Sequence, residues 1–136
     1  MAVKIADLRA GIKKNLETIT GLRVVATLPD QVNPPLAMIS LDRINYQRAM
    51  ARGLTEYLFK ITVVVGRQSE RNAQALLDQY VASDGTLSVL EALETDRTLG
   101  GVAADSNMNT LDAYGSIVIG EINYMSAEFT LQVFAL

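Results

Sequence analysis

The strongest constraint on the fold of this chain is the stretch 55–65, in which side chains of two kinds alternate. One set is apolar throughout and comprises Tyr57, Phe59, Ile61, Val63 and Val65. The other set is mixed and comprises Glu56, Leu58, Lys60, Thr62 and Val64. A period of two is the period of a β-strand. The pattern therefore predicts a central strand with its apolar face packed on helices.

Helical periodicity precedes and follows this strand. Within residues 4–19, apolar side chains recur at steps of three and four, which predicts a helix with Gly21 as its left-handed cap. Gly11 lies inside that helix and weakens it by ~1 kcal/mol relative to alanine. A second helix is predicted over residues 70–82, capped by Ser69, and a short third one near Ser88.

The sequence patterns of the remaining segments predict strands and turns. The predicted strands are residues 22–27, 36–42, 102–110, 116–124 and 127–134. Ser126 nearly joins the last two, which we expect to pair as a tight hairpin or to form one bulged strand. The proline-rich loop 29–35 and a turn at 112–115 interrupt them, and residues 43–53 form a hairpin arm or a loop. We therefore predict one domain, residues 1–136, of the α+β class: a mixed, mainly antiparallel sheet with helices packed on one face.

Composition limits the possible chemistry. The chain contains no Cys, His or Trp, which excludes disulfides, zinc sites of the Cys/His kind and nucleophile–histidine triads. We therefore expect a protein that is not an enzyme and binds no cofactor. The net charge of −3 and the lack of a Lys/Arg-rich arm argue against strong nucleic-acid binding. No stretch is apolar enough to predict a membrane partner.

Two groups of residues have a functional and a structural interpretation. The turn at residues 66–69 could attract an anion with Arg67 at a helix N-terminus, or be an ordinary strand-to-helix turn. Asp105, Asp112, Glu121 and Glu128 could act as paired carboxylates, or lie on solvated strand faces and turns. We favour the structural interpretation of both groups, because neither forms a tight motif.

A third group suggests contact with a partner. Three arginines and four apolar or aromatic residues lie close together in the chain: Arg43, Tyr46, Arg48, Met50, Arg52, Leu54 and Tyr57. The arginines could bind phosphate or reach carboxylates on a neighbouring subunit. Arginine is enriched at protein interfaces, and the mean hydropathy of +0.18 is high for a small monomer. These residues are our candidate interface with a partner, such as further copies of the same chain. A solvated loop above a well-filled core is the alternative.

Several short segments stand in a characteristic order along nearly the whole chain. They are residues 29–35, 52–54 with Tyr57 and Phe59, 63–71, 73–74, 77–78, 88–89, 92–94, 98–101, Tyr124 and 127–130. In this order and spacing they resemble the tail terminator proteins of long-tailed bacteriophages of actinobacteria. Residues 41–50 match this family least. Each segment is weak alone, and the order and spacing together carry the resemblance.

The resemblance implies a lambda-type tail terminator fold and a homohexameric ring at the end of the tail tube. Such a ring stops tube polymerisation and contacts the head–tail connector or stopper protein. DNA passes through its lumen without specific binding. The implied location is the neck–tail junction of the virion, after assembly in the cytoplasm of the bacterial host. The rival interpretations are a head–tail stopper or other neck completion protein, a carboxylate-dependent enzyme, and a nucleic-acid-binding module.

Overall fold

The protein is described here in a computed structural model, which covers residues 4–19, 21–25, 35–46, 55–67, 72–83, 85–119 and 121–135. Within these residues the elements are α1 (Ile5–Leu16), β1 (Arg23–Val25), β2 (Leu36–Asn45), β3 (Thr55–Arg67), α2 (Ala73–Val81), α3 (Val89–Glu94), β4 (Asp105–Ile119) and β5 (Ile122–Ala135). The order along the chain is one helix, three strands, two helices and two strands.

The described strands form one sheet in the order β1-β2-β3-β5-β4. β1 runs parallel to β2, and every other pair is antiparallel. The alternating stretch at 55–65 belongs to β3, in the middle of the sheet, as its pattern predicted. Its residue Ile61 lies between Ile39 of β2 and Phe129 of β5.

The three helices cover one face of this sheet. α2 packs on β3 and β5, while α1 packs on α3, β1 and β2. The core between them contains the fully buried side chains Leu8, Ile12, Leu77, Phe59, Ile61 and Leu131, among others. The predicted α+β class, with a mixed and mainly antiparallel sheet, is therefore confirmed.

The observed helix ends agree in part with those predicted from the sequence. α1 ends at Leu16, and Gly21 follows a further turn with φ +84°, the left-handed conformation that was predicted for it. α2 begins at Ala73 with Asn72 in the capping position, and the predicted cap Ser69 lies outside the described residues. The Ser88 hydroxyl accepts a hydrogen bond from the Glu91 amide at 3.1 Å, so this predicted cap is confirmed.

The C-terminal prediction of three strands was wrong. Residues 112–115 do not form a turn but lie inside β4, and β5 runs without a break through Ser126. Aspartate is common in turns, but Asp112 is the extra residue of a bulge in β4. The register of the pairing with β5 shifts there, between Leu111 and Ala113. The hairpin turn lies between Ile119 and Ile122, where the sequence is Gly-Glu. A glycine in the first loop position is itself a hairpin signal that the prediction overlooked.

Candidate functional site

The structure describes three of the seven predicted interface residues. Arg43 is exposed near the end of β2, and Tyr46, just after β2, has 75% of its surface exposed. Tyr57 is buried, with its backbone in register with Ile44 and Val133, so it offers little surface to a partner. The other four, Arg48, Met50, Arg52 and Leu54, lie outside the described residues.

Next to this region, the helix-free face of the sheet carries a buried carboxylate. Glu56 is only 4% exposed and accepts a hydrogen bond from the Asn45 amide at 2.6 Å. It accepts a second hydrogen bond from the Gln132 amide on β5. A buried charge is tolerated where donors surround it. These three side chains therefore tie β2, β3 and β5 together across the sheet.

Further along the same face, two smaller polar contacts link neighbouring strands. The Lys60 ammonium lies 4.0 Å from Asp42 and 3.9 Å from Glu128, in pairs that are partly exposed. The Asp112 carboxylate accepts hydrogen bonds from the Thr130 and Thr110 hydroxyls, which hold the pKa of Asp112 below its usual value. Asp112 therefore stays charged at neutral pH.

The predicted carboxylates have separate roles. Asp105 pairs with Arg97 at 3.0 Å, Glu128 with Lys60, and Asp112 with two threonines, while Glu121 is exposed in the turn before β5. Among the residues that the structure describes, no three acidic side chains are grouped so that they could hold a metal ion. The structural interpretation of these acids fits their surroundings.

Of the candidate anion site at 66–69, Gln68, Ser69 and the side chain of Arg67 lie outside the described residues. Beside it is an open depression of about 340 Å³. It is lined by Val65, Asn72, Ala73, Ala75, Leu76 and Gln79. This lining contains no charged side chain and gives the depression a mainly apolar character.

The continuity and exposure of the edge strand β4 are features that the sequence prediction missed, although it assigned strands to residues 102–110 and 116–124. Leu111, Tyr114 and Val118 are 39%, 42% and 63% exposed, which is unusual for large apolar or aromatic residues on one strand. In the described sheet β4 has one neighbour, β5, and its other edge is open. Tyr114 is also fixed to α2, because its hydroxyl donates a hydrogen bond to Asp78. The turn predicted at residues 112–115 divides β4 into two shorter strands, so the prediction contains no long edge strand.

Charge is distributed unevenly between the two ends of the chain. Residues 98–136 contain no Lys or Arg but include Asp105, Asp112, Glu121 and Glu128. Residues 4–25 contain five basic residues (Lys4, Arg9, Lys13, Lys14 and Arg23) and only two acidic ones. The β4–β5 hairpin is therefore acidic, whereas α1 and β1 are basic. These elements occupy opposite edges of the sheet.

Comparison with known proteins does not identify the chain: no family model matches it, and no curated protein matches it significantly. Among the described helices, none is both long and apolar enough to cross a membrane.

Proposed function

We propose that this protein is a structural subunit of a bacteriophage virion, which forms a homohexameric ring on the end of the tail tube. The ring stops polymerisation of the tube and joins the tail to the head connector. DNA passes through its lumen during ejection without specific binding. The proposed role includes no catalytic reaction and no cofactor.

The observation that carries this proposal is the open, partly apolar edge of β4. A chain that works as a monomer gains nothing from large apolar side chains such as Leu111 and Val118 exposed on an open strand edge. In a ring, neighbouring copies cover such surfaces. The resemblance of the sequence segments to tail terminators supplies the particular kind of ring.

The charge of the chain also suits this role. With a net charge of −3 and an acidic β4–β5 hairpin, the protein repels the DNA backbone rather than binding it. A lumen that lets DNA slide requires weak contacts. The exposed Arg43 and Tyr46 are the described part of the surface that we assign to subunit or tube contacts.

Electron microscopy of the protein mixed with the tail tube protein tests the proposal. We expect six-fold rings at tube ends and tubes that no longer grow. Tube protein incubated with an unrelated acidic protein of similar size serves as the control. Association with portal or adaptor rings, and none with tubes, would move the assignment to a head–tail stopper or another neck completion protein.

A further inference from the structure

The outer half of β4, residues 113–119, lacks the devices that normally protect an open strand edge. Edge strands of monomeric proteins carry lysine, proline or bulges that prevent another strand from pairing. In β4 the irregularities lie between Met108 and Thr110 and between Leu111 and Ala113. From Ala113 to Ile119 the pairing with β5 is regular, and the sequence contains no charged residue and no proline. This segment, the β4 edge, can therefore accept a partner.

The opposite side of the sheet has complementary charge. There, β1 pairs with β2 over three residues, and α1 packs beside it. Lys13, Lys14 and Arg23 are exposed on these two elements, and we call them the basic edge. In the described structure no ion pair within 4 Å neutralises Lys13 or Arg23. Glu121, which is exposed in the turn after the β4 edge, likewise lacks a basic partner at that distance among the described residues.

We propose that the β4 edge of one copy docks on the basic edge of a second copy of this chain. The two surfaces lie on opposite edges of one sheet, so the contact is head-to-tail. A head-to-tail contact forms a ring when its rotation closes on itself, and an open filament when it does not. This inference rests on the proposed function for the closed ring, and it adds the surfaces that form it.

Two kinds of interaction hold this interface together. The open backbone groups of residues 113–119 bond to the neighbouring chain, while Val118, which is 63% exposed in the single chain, is covered. Glu121, in the turn after the β4 edge, faces Lys13, Lys14 and Arg23 of the next copy, which sets the direction and register of docking. A second copy is favoured over another partner because each chain carries both of the complementary charges.

The first test places a lysine in the β4 edge. Val118→Lys adds a charge at an exposed position, as natural edge strands do, and leaves the monomer folded. The matched control is Ala75→Lys, which adds the same charge at an exposed position of α2. Light scattering should show that Val118→Lys requires a roughly tenfold higher concentration to assemble. Ala75→Lys should assemble as the unmodified protein does.

The second test establishes the direction of the contact. Lys13→Glu with Arg23→Glu removes the basic edge, and this double variant should likewise be monomeric at concentrations at which the unmodified protein assembles. Mixed in equal amounts with Val118→Lys, it should form dimers and nothing larger, because each pair retains one intact contact. If the double variant assembles normally while Val118→Lys does not, the β4 edges pair with each other, and the head-to-tail proposal is wrong.

Electron microscopy with tube protein separates this proposal from the proposed function. If Val118→Lys is folded by circular dichroism and still forms rings that cap tubes, the interface is wrong and the terminator function stands. If the variants show the expected loss of assembly but rings of the unmodified protein leave tubes uncapped, the proposed terminator function is wrong. The proposed interface between copies then stands. A protein that is monomeric both alone and with tubes would overturn the interface.

Discussion

Gly11 of α1 lies directly against Leu99, with no room for a side chain between them. A Cβ atom at position 11 would be 2.6 Å from both the Leu99 Cβ and the Leu99 carbonyl oxygen. Leu99 is itself buried and adopts a left-handed backbone conformation with φ +53°. The mid-helix glycine, which weakens α1 in isolation, therefore allows the helix to approach the turn after α3.

Gly11→Ala should accordingly destabilise the protein, although alanine favours a helix. Better helix propensity contributes ~1 kcal/mol in favour of the variant, and overpacking costs about 1–3 kcal/mol. The backbone carbonyl of Leu99 cannot rotate away as a flexible side chain would, so we expect a net loss of up to about 2 kcal/mol. Urea denaturation monitored by circular dichroism measures this. A variant more stable than the original chain would contradict the prediction.

The Glu56–Gln132 hydrogen bond should couple β3 to β5. A double-mutant cycle with Glu56→Ala and Gln132→Ala should give a coupling free energy of about 1–2 kcal/mol, because the acceptor is a buried carboxylate. The control cycle is Lys60 with Glu128, whose charged atoms are 3.9 Å apart and partly exposed. That pair should couple by less than about 1 kcal/mol. Equal coupling free energies in the two cycles would show that the buried Glu56 carboxylate does not couple β3 to β5 more strongly than an exposed ion pair does.

Much of this fold was predictable because buried strands carry a clear alternation. The stretches 55–65 and 127–134 both alternate, and both lie in the middle of the sheet, where one face contacts helices. Their apolar residues, such as Phe59 and Leu131, are fully buried. Burial on one face imposes the period of two, and so the sequence reveals the strand.

The edge strand β4 was predicted as two separate pieces for the opposite reason. Its outer half is exposed, so Tyr114 and Val118 are not constrained to alternate with polar residues. Asp112 and Gly115 are residue types that are common in turns, which led to the wrong prediction. Within the sheet, the Asp112 carboxylate accepts hydrogen bonds from the hydroxyls of Thr110 and Thr130. The contact of Gly11 with Leu99 was also unpredictable, since it joins segments far apart in the chain.

Asp112 should titrate at a lower pH than an ordinary aspartate. Hydrogen bonds from the Thr130 and Thr110 hydroxyls lower its pKa from 3.8. Because the folded pKa is below the unfolded one, this contribution to stability is present above about pH 4 and is lost as the pH falls through the folded pKa. Thr130→Val should raise the pKa of Asp112 towards 3.8.

Carbon-13 NMR of the side-chain carboxyl groups measures that shift residue by residue. Thr62→Val is the matched control, because Thr62 lies on the same face of the sheet but is not bonded to Asp112. It should leave the pKa of Asp112 unchanged. If Thr130→Val also leaves it unchanged, the threonine does not hold the carboxylate.

The hydrogen bond from the Tyr114 hydroxyl to Asp78 should be visible in the titration of the phenol. This bond is the main reason that the pKa of Tyr114 is raised above 10.0, since the neutral phenol donates and the phenolate cannot. The folded pKa exceeds the unfolded one, so the contribution to stability is present below about pH 10 and is lost as the pH rises through the folded pKa.

Two substitutions on α2 should move this pKa in opposite directions. Asp78→Ala removes the acceptor and should lower the pKa of Tyr114 towards 10.0, whereas Gln74→Ala removes a contact that lowers it and should raise it further. NMR of tyrosine labelled with carbon-13 at Cζ, with Tyr114→Phe for assignment, distinguishes these shifts. Shifts of the same sign in both variants would show that α2 does not fix Tyr114 in this way. Opposite shifts would mean that the helix positions a residue of the β4 edge before any partner binds.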